Sequence, residues 1–236
     1  MASLINQDTC ENAYLEVCNY LIVQPNFEAH NIIITISDPC DFSRLNYSLQ
    51  HRNPVKINNN FDNLRNVINT IFPFQLATHF SGNRNGLYTK YLRIYSKSRK
   101  RKWGTYFQRF VSFTKHSTTG INQLENIINS LNGGSPQRYY NIMHTTSVNI
   151  ESNVRPLGGA CLQYVQINKR GADIIDLIAV YRNHDYFNKA LGNFYGLAYL
   201  LEFIASNTNY NSGSLIIHSI HAFSSQGKNR LRNLII

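Results

Sequence analysis

Three polar residues in the last third of the chain have the types and the spacing to bind a nucleotide. Asp185 and Asn193 follow Arg182 by three and eleven residues, after a strand-like run and beside a long apolar stretch. An arginine at the end of a strand can hold a phosphate with two parallel N–H donors. An asparagine at the mouth of a helix offers a donor and an acceptor, enough to read the edge of a pyrimidine. The other interpretation is structural: a solvated turn followed by a helix cap.

The segments that must position these residues show two periodicities. Apolar residues at helical spacing predict helices at 13–22, 61–71, 121–131 and 191–206, the last of them apolar almost all round. Apolar and β-branched runs predict strands at 31–37, 139–143, 161–168, 174–181 and 213–223, and a turn at 169–171 predicts a hairpin. This mixture predicts an α+β or mixed three-layer architecture. With 236 residues, the chain is expected to form a single domain over 1–236.

The charge balance favours an anionic partner, because the formal net charge is +10 and the sequence pI is about 9.5. Much of the positive charge lies in residues 90–109, where lysines and arginines alternate with tyrosines and Trp103. Such a mixture suits single-stranded nucleic acid, since phosphates and base faces can both be contacted. The residues that would bind it are Arg99, Lys100, Arg101 and Lys102. The alternative is a solvated loop that joins two elements.

Other classes of protein are not indicated. Acidic residues in the first apolar stretch argue against a signal peptide, and no apolar run approaches the ~18 residues that a membrane span needs. The four cysteines show no CxxC spacing, so neither a metal site nor a disulfide framework is predicted. A reducing cytoplasm is therefore the expected location.

Several of these motifs, taken together, resemble the thymidylate synthase and pyrimidine hydroxymethylase family. The residues that carry the resemblance occur in that family's order and largely at its spacings: Tyr106, Asn122-Gln123-Leu124 with its helix, Arg138, Gln163-Tyr164, and Arg182, Asp185 and Asn193. The likeness is clearest over 103–223, whereas residues 1–102 match poorly. It implies a thymidylate-synthase-like mixed sheet with flanking helices, a homodimer and a pyrimidine nucleotide or related nucleoside as ligand.

The resemblance also implies roles for individual residues. Arg182 and Asn183 would bind the phosphate, as would Arg138 from across the dimer interface, and Asn193 would read the base. Gln163 belongs to the substrate-binding set. His221 corresponds to the residue that holds the ribose hydroxyl only if two residues are deleted. Asp185 would lie on the side of the cofactor, which in this family is methylenetetrahydrofolate, and would have a catalytic role in proton or folate handling.

The sequence departs from the family where its chemistry takes place. In the family, a cysteine thiolate adds to carbon 6 of the pyrimidine, and the position of that cysteine is Gly158 here. Cys161, three residues later, is either a displaced substitute for the nucleophile or a small buried strand residue. The family's catalytic glutamate has no counterpart near 63–80. The sequence stops at Ile236, about where the family begins the segment that closes over folate, which weakens the expectation of that cofactor.

Three hypotheses therefore stay open. The first is an enzyme that transfers a one-carbon unit to a pyrimidine nucleotide by altered chemistry, since ordinary thymidylate synthesis is not expected without the thiol. The second is a non-catalytic homologue that acts as a dimeric nucleotide- or nucleic-acid-binding module. The third is a basic nucleic-acid-binding protein whose site lies in the 90–109 segment.

Overall fold

The computed structural model describes residues 2–46, 61–97, 104–113, 120–136, 140–147 and 159–235. In these ranges the chain has an α+β architecture built on one mixed, open sheet of seven strands, as the sequence predicts. The strands are β1 (Ser3–Gln7), β2 (Glu28–Ile36), β3 (Ile142–His144), β4 (Leu162–Arg170), β5 (Ile174–Tyr181), β6 (His184–Asp185) and β7 (Asn211–Phe223). The helices are α1 (Cys10–Val23), α2 (Phe61–Ile71), α3 (Phe74–Thr78), α4 (Arg84–Lys97), α5 (Tyr106–Val111), α6 (Gln123–Asn132), α7 (Ala190–Ser206) and α8 (Lys228–Ile235).

The sheet has the strand order β1-β2-β7-β5-β4-β3, and β6 also pairs with β7. β1 pairs with β2, and β5 pairs with β7, in parallel; each of these connections runs through a helix, α1 or α7. The predicted hairpin is confirmed as β4 and β5, although its turn is centred on 171–173. Gly171 takes φ +69° there, a left-handed conformation that glycine adopts without steric cost.

One face of the sheet forms the floor of the core. A single row of paired residues crosses six strands, and each of its members is at most 5% exposed: Ile5, Ile34, Ile217, Ala179, Val165 and Met143. Because successive side chains on a strand point to opposite faces, the neighbouring row points the other way. That row is Leu4, Ile33, His218, Val180, Tyr164 and His144. We call the face that carries it the outer face.

The helices α1 and α7 pack on the core face, and α2 packs on α7. Gly192 and Gly196 of α7 face α2, so that the two helices approach closely. A Cβ atom added at Gly192 would lie 2.7 Å from the Cβ of Val67, and one at Gly196 would lie 2.9 Å from the Cβ of Ile71. The all-round apolar character of 191–206 therefore reflects a helix that is covered on two sides.

The helix caps follow the sequence. Thr9 Oγ1 accepts a hydrogen bond from the N–H of Asn12 at 3.3 Å and so caps α1. Asn122 Oδ1 accepts from the N–H of Glu125 at 2.9 Å and caps α6, and Gly133 is the C-cap of that helix. Asn60, whose side chain could cap α2 as an asparagine before a helix often does, lies outside the described residues.

Candidate functional site

Three neighbouring strands are kinked at the same level, and the candidate site lies at this kink. In a regular strand, every second residue faces the core. At the kink, successive core-facing residues are three positions apart; this happens between β5 and β6, within β7 and within β2. The core-facing residues before the kink are Tyr181, Ser219 and Ile32, and those after it are His184, Ala222 and Ala29. The residues in between are Arg182–Asn183, Ile220–His221 and His30–Asn31, and we call these six the bulge layer. Because the extra residue occurs in all three strands, the register between them is the same on both sides of the kink, and the side chains at the kink are redirected together.

Backbone geometry fixes the bulge layer on β2. Asn31 has φ +56°, in the left-handed region that asparagine tolerates better than most residues. As a result His30 and His221 leave the core face, and their rings stack at a centroid distance of 5.1 Å. His221 stacks also on Phe223, at 5.2 Å.

A chain of polar contacts runs across the bulge layer from Arg182 to Glu28. In the amide orientation that gives both its oxygen and its nitrogen a partner, Asn183 accepts a hydrogen bond from Arg182 Nη1 at 3.2 Å. In the same orientation it donates one to His221 Nδ1 at 3.0 Å. The other ring nitrogen, His221 Nε2, faces Glu28 Oε2 at 3.5 Å. The structure thus brings together three residues of the predicted site, Arg182, Asn183 and His221.

Arg182 and Gln163 both hold the turn before β4. The carbonyl oxygen of Ala160 accepts from Arg182 Nε at 3.1 Å and from Gln163 Nε2 at 3.0 Å. From the other side, the hydroxyl of Tyr106 accepts from the backbone N–H groups of Cys161 and Leu162, both at 3.2 Å. The backbone of this turn is therefore fixed by side chains from three separate segments.

Cys161 lies in that turn, one residue before β4 begins, and is half-buried. Burial raises the pKa of its thiol; the nearby Arg182 guanidinium lowers the pKa and the Asp185 carboxylate raises it, so that the net shift is upward. A nucleophilic thiol needs the opposite shift, because the thiolate is the attacking species. The electrostatics of the site therefore oppose a catalytic role for Cys161, and of its two charged neighbours only Arg182 shifts the pKa in the direction that a nucleophile needs.

The carboxylate of Asp185 closes the turn that leads into α7. Its Oδ1 accepts from the N–H of Phe187 at 3.0 Å and of Ser225 at 3.2 Å. Its Oδ2 accepts from Asn188 Nδ2 at 3.1 Å and from the Ser225 hydroxyl at 2.7 Å. Four hydrogen bonds to local groups explain this residue structurally, and its predicted catalytic role stays a prediction.

Asn193 belongs to a buried polar network under the bulge layer. Its Nδ2 lies 3.1 Å from His184 Nε2, and His184 Nδ1 lies 2.8 Å from the Ser219 hydroxyl, which in turn lies 3.0 Å from the Tyr186 hydroxyl. With the amide donating, Nε2 accepts and the hydrogen of the neutral imidazole sits on Nδ1. Burial lowers the pKa of His184 to about 3, and its ring stacks on Tyr181 at 4.1 Å. The amide of Asn193 is thus directed at His184, which lies two positions after Arg182 in the sequence.

No family model and no curated protein matches this chain. Among the helices that the structure describes, none is long and apolar enough to cross a bilayer. Within the same ranges, no three or more His, Cys, Asp or Glu side chains are grouped as a metal site would require.

Some predicted residues lie outside the described ranges. These are Arg138, Gly158 and the four basic residues Arg99, Lys100, Arg101 and Lys102. Part of the basic segment is described, and the expectation of a loop is wrong for it, because residues 84–97 form α4. Its aromatic residues face inward: Tyr88 is 4% exposed, and Tyr91 packs edge-on against Phe107 at 4.7 Å. Arg109 is also buried, at 4% exposure, and donates to the carbonyl of Thr145.

Sequence reasoning missed the residues that support the site from beneath. The family resemblance includes Tyr106 but gives it no structural role. His184 lies between Arg182 and Asp185 and is not among the predicted site residues. Their contacts are made with Cys161, Leu162, Ser219 and Asn193, from 9 to 56 positions away in the sequence. The available signal was the alternation of core-facing residues, which breaks at 181–184 and marks His184 as inward-facing.

Proposed function

We propose that this protein is a thymidylate-synthase-like binder of a pyrimidine nucleotide, with the phosphate at Arg182 and the base at Asn193. The observation that carries the proposal is the bulge layer: Arg182 and Asn183 lie beside the Ala160–Cys161 turn, and His184, the residue after them in the same kink, contacts Asn193. The order of these residues along the chain is that of the family which the sequence resembles. The coarse architecture, a mixed sheet with α7 following the site, is compatible with that family.

The roles follow from the chemistry of each group. The guanidinium of Arg182 is oriented by Ala160 and Asn183, and a guanidinium in a fixed plane matches the oxygens of a phosphate. Asn193 is 6% exposed, and the bond to His184 fixes the direction of its amide. A pre-oriented carboxamide can pair with the donor and acceptor on a uracil edge. Gln163 supports the turn rather than contacting the ligand directly.

The proposed activity is binding without covalent attack on the ring. Gly158 replaces the family's nucleophile, and burial raises the pKa of the remaining thiol at Cys161. A protonated thiol does not add to carbon 6 of a pyrimidine, so the step that activates the ring is not supported. Methylenetetrahydrofolate, the cofactor implied by the resemblance, has no role in binding of this kind.

Isothermal titration with dUMP, deoxyuridine and inorganic phosphate tests the proposal. We expect dUMP to bind more tightly than deoxyuridine, and Arg182→Ala to weaken dUMP by about 10- to 100-fold, the usual value of a hydrogen bond to a charged group. Arg93→Ala, at an exposed position of α4, is the matched control and should leave the affinity unchanged. Wild-type affinity in Arg182→Ala, or no binding of any of the three compounds, would refute the site.

A turnover assay separates binding from catalysis. With 5-tritiated dUMP and methylenetetrahydrofolate, we expect no release of tritium above the background without protein. Release that is lost in Cys161→Ala would identify Cys161 as a displaced nucleophile and would restore the enzyme hypothesis.

The outer face of the sheet supports the homodimer that the resemblance implies. Two adjacent rows on this face contain Ile33, Val180, Ile216 and Ile178, and Leu4 at its edge is 70% exposed. A broad face with apolar residues at its centre is typical of an interface between subunits. Arg138, which would reach the partner's site, lies outside the described residues.

Sedimentation equilibrium tests the dimer. We expect a dimer for the wild type and a monomer for Ile216→Asp, because the new carboxylate would be buried without a partner. Ile94→Asp, at a 49% exposed position of α4, is the control and should stay dimeric. A wild-type protein that is monomeric at tens of micromolar would contradict this part of the proposal.

A further inference from the structure

A second cavity lies at the other end of α7, away from the bulge layer. Its volume is about 1230 Å³, and α3, the turn before α4 and the C-terminal half of α7 form its walls. Asn193 and Ser206 are thirteen residues apart on one helix. With a rise of about 1.5 Å per residue, the two sites are separated by roughly 20 Å. The cavity is therefore independent of the proposed nucleotide site.

The walls of the cavity are aromatic. The ring of Tyr199 lies between those of Phe42 and Phe74, with centroid distances of 4.0 and 4.6 Å and interplanar angles of 7° and 9°. One helical turn later, Phe203 packs against Phe72 at 5.0 Å. Five packed rings give a rigid apolar surface, and the faces of aromatic rings carry partial negative charge.

The ionisable groups at the cavity leave one negative charge unbalanced. Among the described lining residues these groups are His79, Arg84 and Glu202. The charge of Arg84 is already balanced, because its Nε and Nη2 donate to the carboxylate of Glu125 at 3.0 and 2.7 Å. Glu202, three residues after Tyr199 on the same side of α7, makes no hydrogen bond or ion pair with any described residue. Partial desolvation raises the pKa of its carboxyl, and no described cation offsets this shift.

We propose that this cavity binds an organic cation, a primary amine or quaternary ammonium attached to an aromatic or aliphatic body. The cation would sit against the carboxylate of Glu202, and its apolar body would pack on the wall formed by Tyr199 and Phe203. Both faces of the Tyr199 ring are covered by Phe42 and Phe74, so the preference for a cation comes from the Glu202 carboxylate and the rings contribute an apolar surface. A neutral or anionic ligand of the same shape would leave the carboxylate without a partner.

Three probes of one shape and different charge test the proposal: phenethylamine, 2-phenylethanol and phenylacetate. In isothermal titration at pH 7.5 and low salt, we expect the amine to bind about five- to tenfold more tightly than the alcohol. Phenylacetate should bind most weakly. Glu202→Gln should lower the affinity for the amine to that of the alcohol, and Glu202→Lys should reverse the preference in favour of phenylacetate.

Glu16→Gln, at an exposed position of α1, is the matched control and should bind all three probes like the wild type. Glu202 is exposed at the rim, so its variants are expected to fold, which circular dichroism will check. The proposal is overturned if the three probes bind equally, if none of them binds, or if the amine binds Glu202→Gln as tightly as the wild type.

Discussion

The buried imidazole of His184 makes the stability of this protein depend on pH in a defined range. His184 is 1% exposed, and its pKa falls from 6.5 to about 3 because burial disfavours the charged ring. Below about pH 6.5 the unfolded chain binds a proton at this residue, whereas the folded chain does not until about pH 3. The contribution to folding is therefore fully present above pH 6.5, declines as the pH falls, and levels off below pH 3.

The magnitude follows from the two pKa values. One unit of difference corresponds to ~1.4 kcal/mol, so that this group alone lowers the free energy of unfolding by roughly 2 kcal/mol between pH 7.5 and pH 5. Urea unfolding at these two pH values and one protein concentration measures the change. The variant His184→Asn removes the titrating group and keeps a polar atom near Ser219.

We expect His184→Asn to be less stable than the wild type at pH 7.5, because it loses the stack on Tyr181. Between pH 7.5 and pH 5, however, it should lose about 2 kcal/mol less than the wild type. His79→Asn, at an exposed histidine, should follow the wild-type dependence. Equal losses in His184→Asn and the wild type would show that the folded protein protonates His184 readily, and would refute the reasoning.

Two further predictions concern packing and thiol chemistry. Gly196→Ala should lower the free energy of unfolding by about 1–3 kcal/mol, because the new Cβ lies 2.9 Å from the Cβ of Ile71; Gly227→Ala, with no atom within 4 Å, is the control in the same urea experiment. Cys161 should react with iodoacetamide at pH 7.5 more slowly than free cysteine, and more slowly still in Arg182→Ala, because the guanidinium lowers the pKa of the thiol. Peptide mass mapping follows the alkylation, and faster reaction than free cysteine would contradict the prediction.

The parts of the fold that the sequence predicts well are those where one periodicity dominates. The helices α1, α2, α6 and α7 and the strands β2, β4, β5 and β7 all appear within a few residues of the expected positions. In each of them the buried residues recur every two or every three to four positions, because a single face meets the core. In these segments the local sequence pattern agrees with the burial in the folded protein, so the pattern alone is sufficient to predict the helix or strand.

The missed elements are short or obscured by charge. β1 has a single buried residue, Ile5, and Leu231 is the only core residue among those of α8 whose burial the structure describes, so neither presents a period to read. α4 does have one, since Leu87, Tyr88 and Tyr91 lie on one side of a helix. Its many lysines and arginines favour an interpretation as a binding segment, whereas the spacing of its tyrosines is that of an inward-facing helix side.

The candidate site, too, has features that the sequence predicts and features that it does not. The position of Arg182 at the end of a strand was predictable, because the run of residues 174–181 is β-branched and apolar. That the kinks of three neighbouring strands lie side by side was not predictable, because their alignment depends on the register of strands that lie far apart in the sequence. The direction of the Asn193 amide depends on the same register, which brings His184 over Ser219.

The place of β7 in the sheet has a consequence for how the chain is made. β7 is the last strand in the sequence, yet it lies between β2 and β5 and is what joins the β1–β2 pair to the β3–β4–β5 group. The segment up to Phe223 must therefore leave the ribosome before the two halves can unite, and until then each half has an unpaired edge exposed to other nascent chains. We expect assembly of this protein in the cell to depend on chaperones that shield those edges during synthesis.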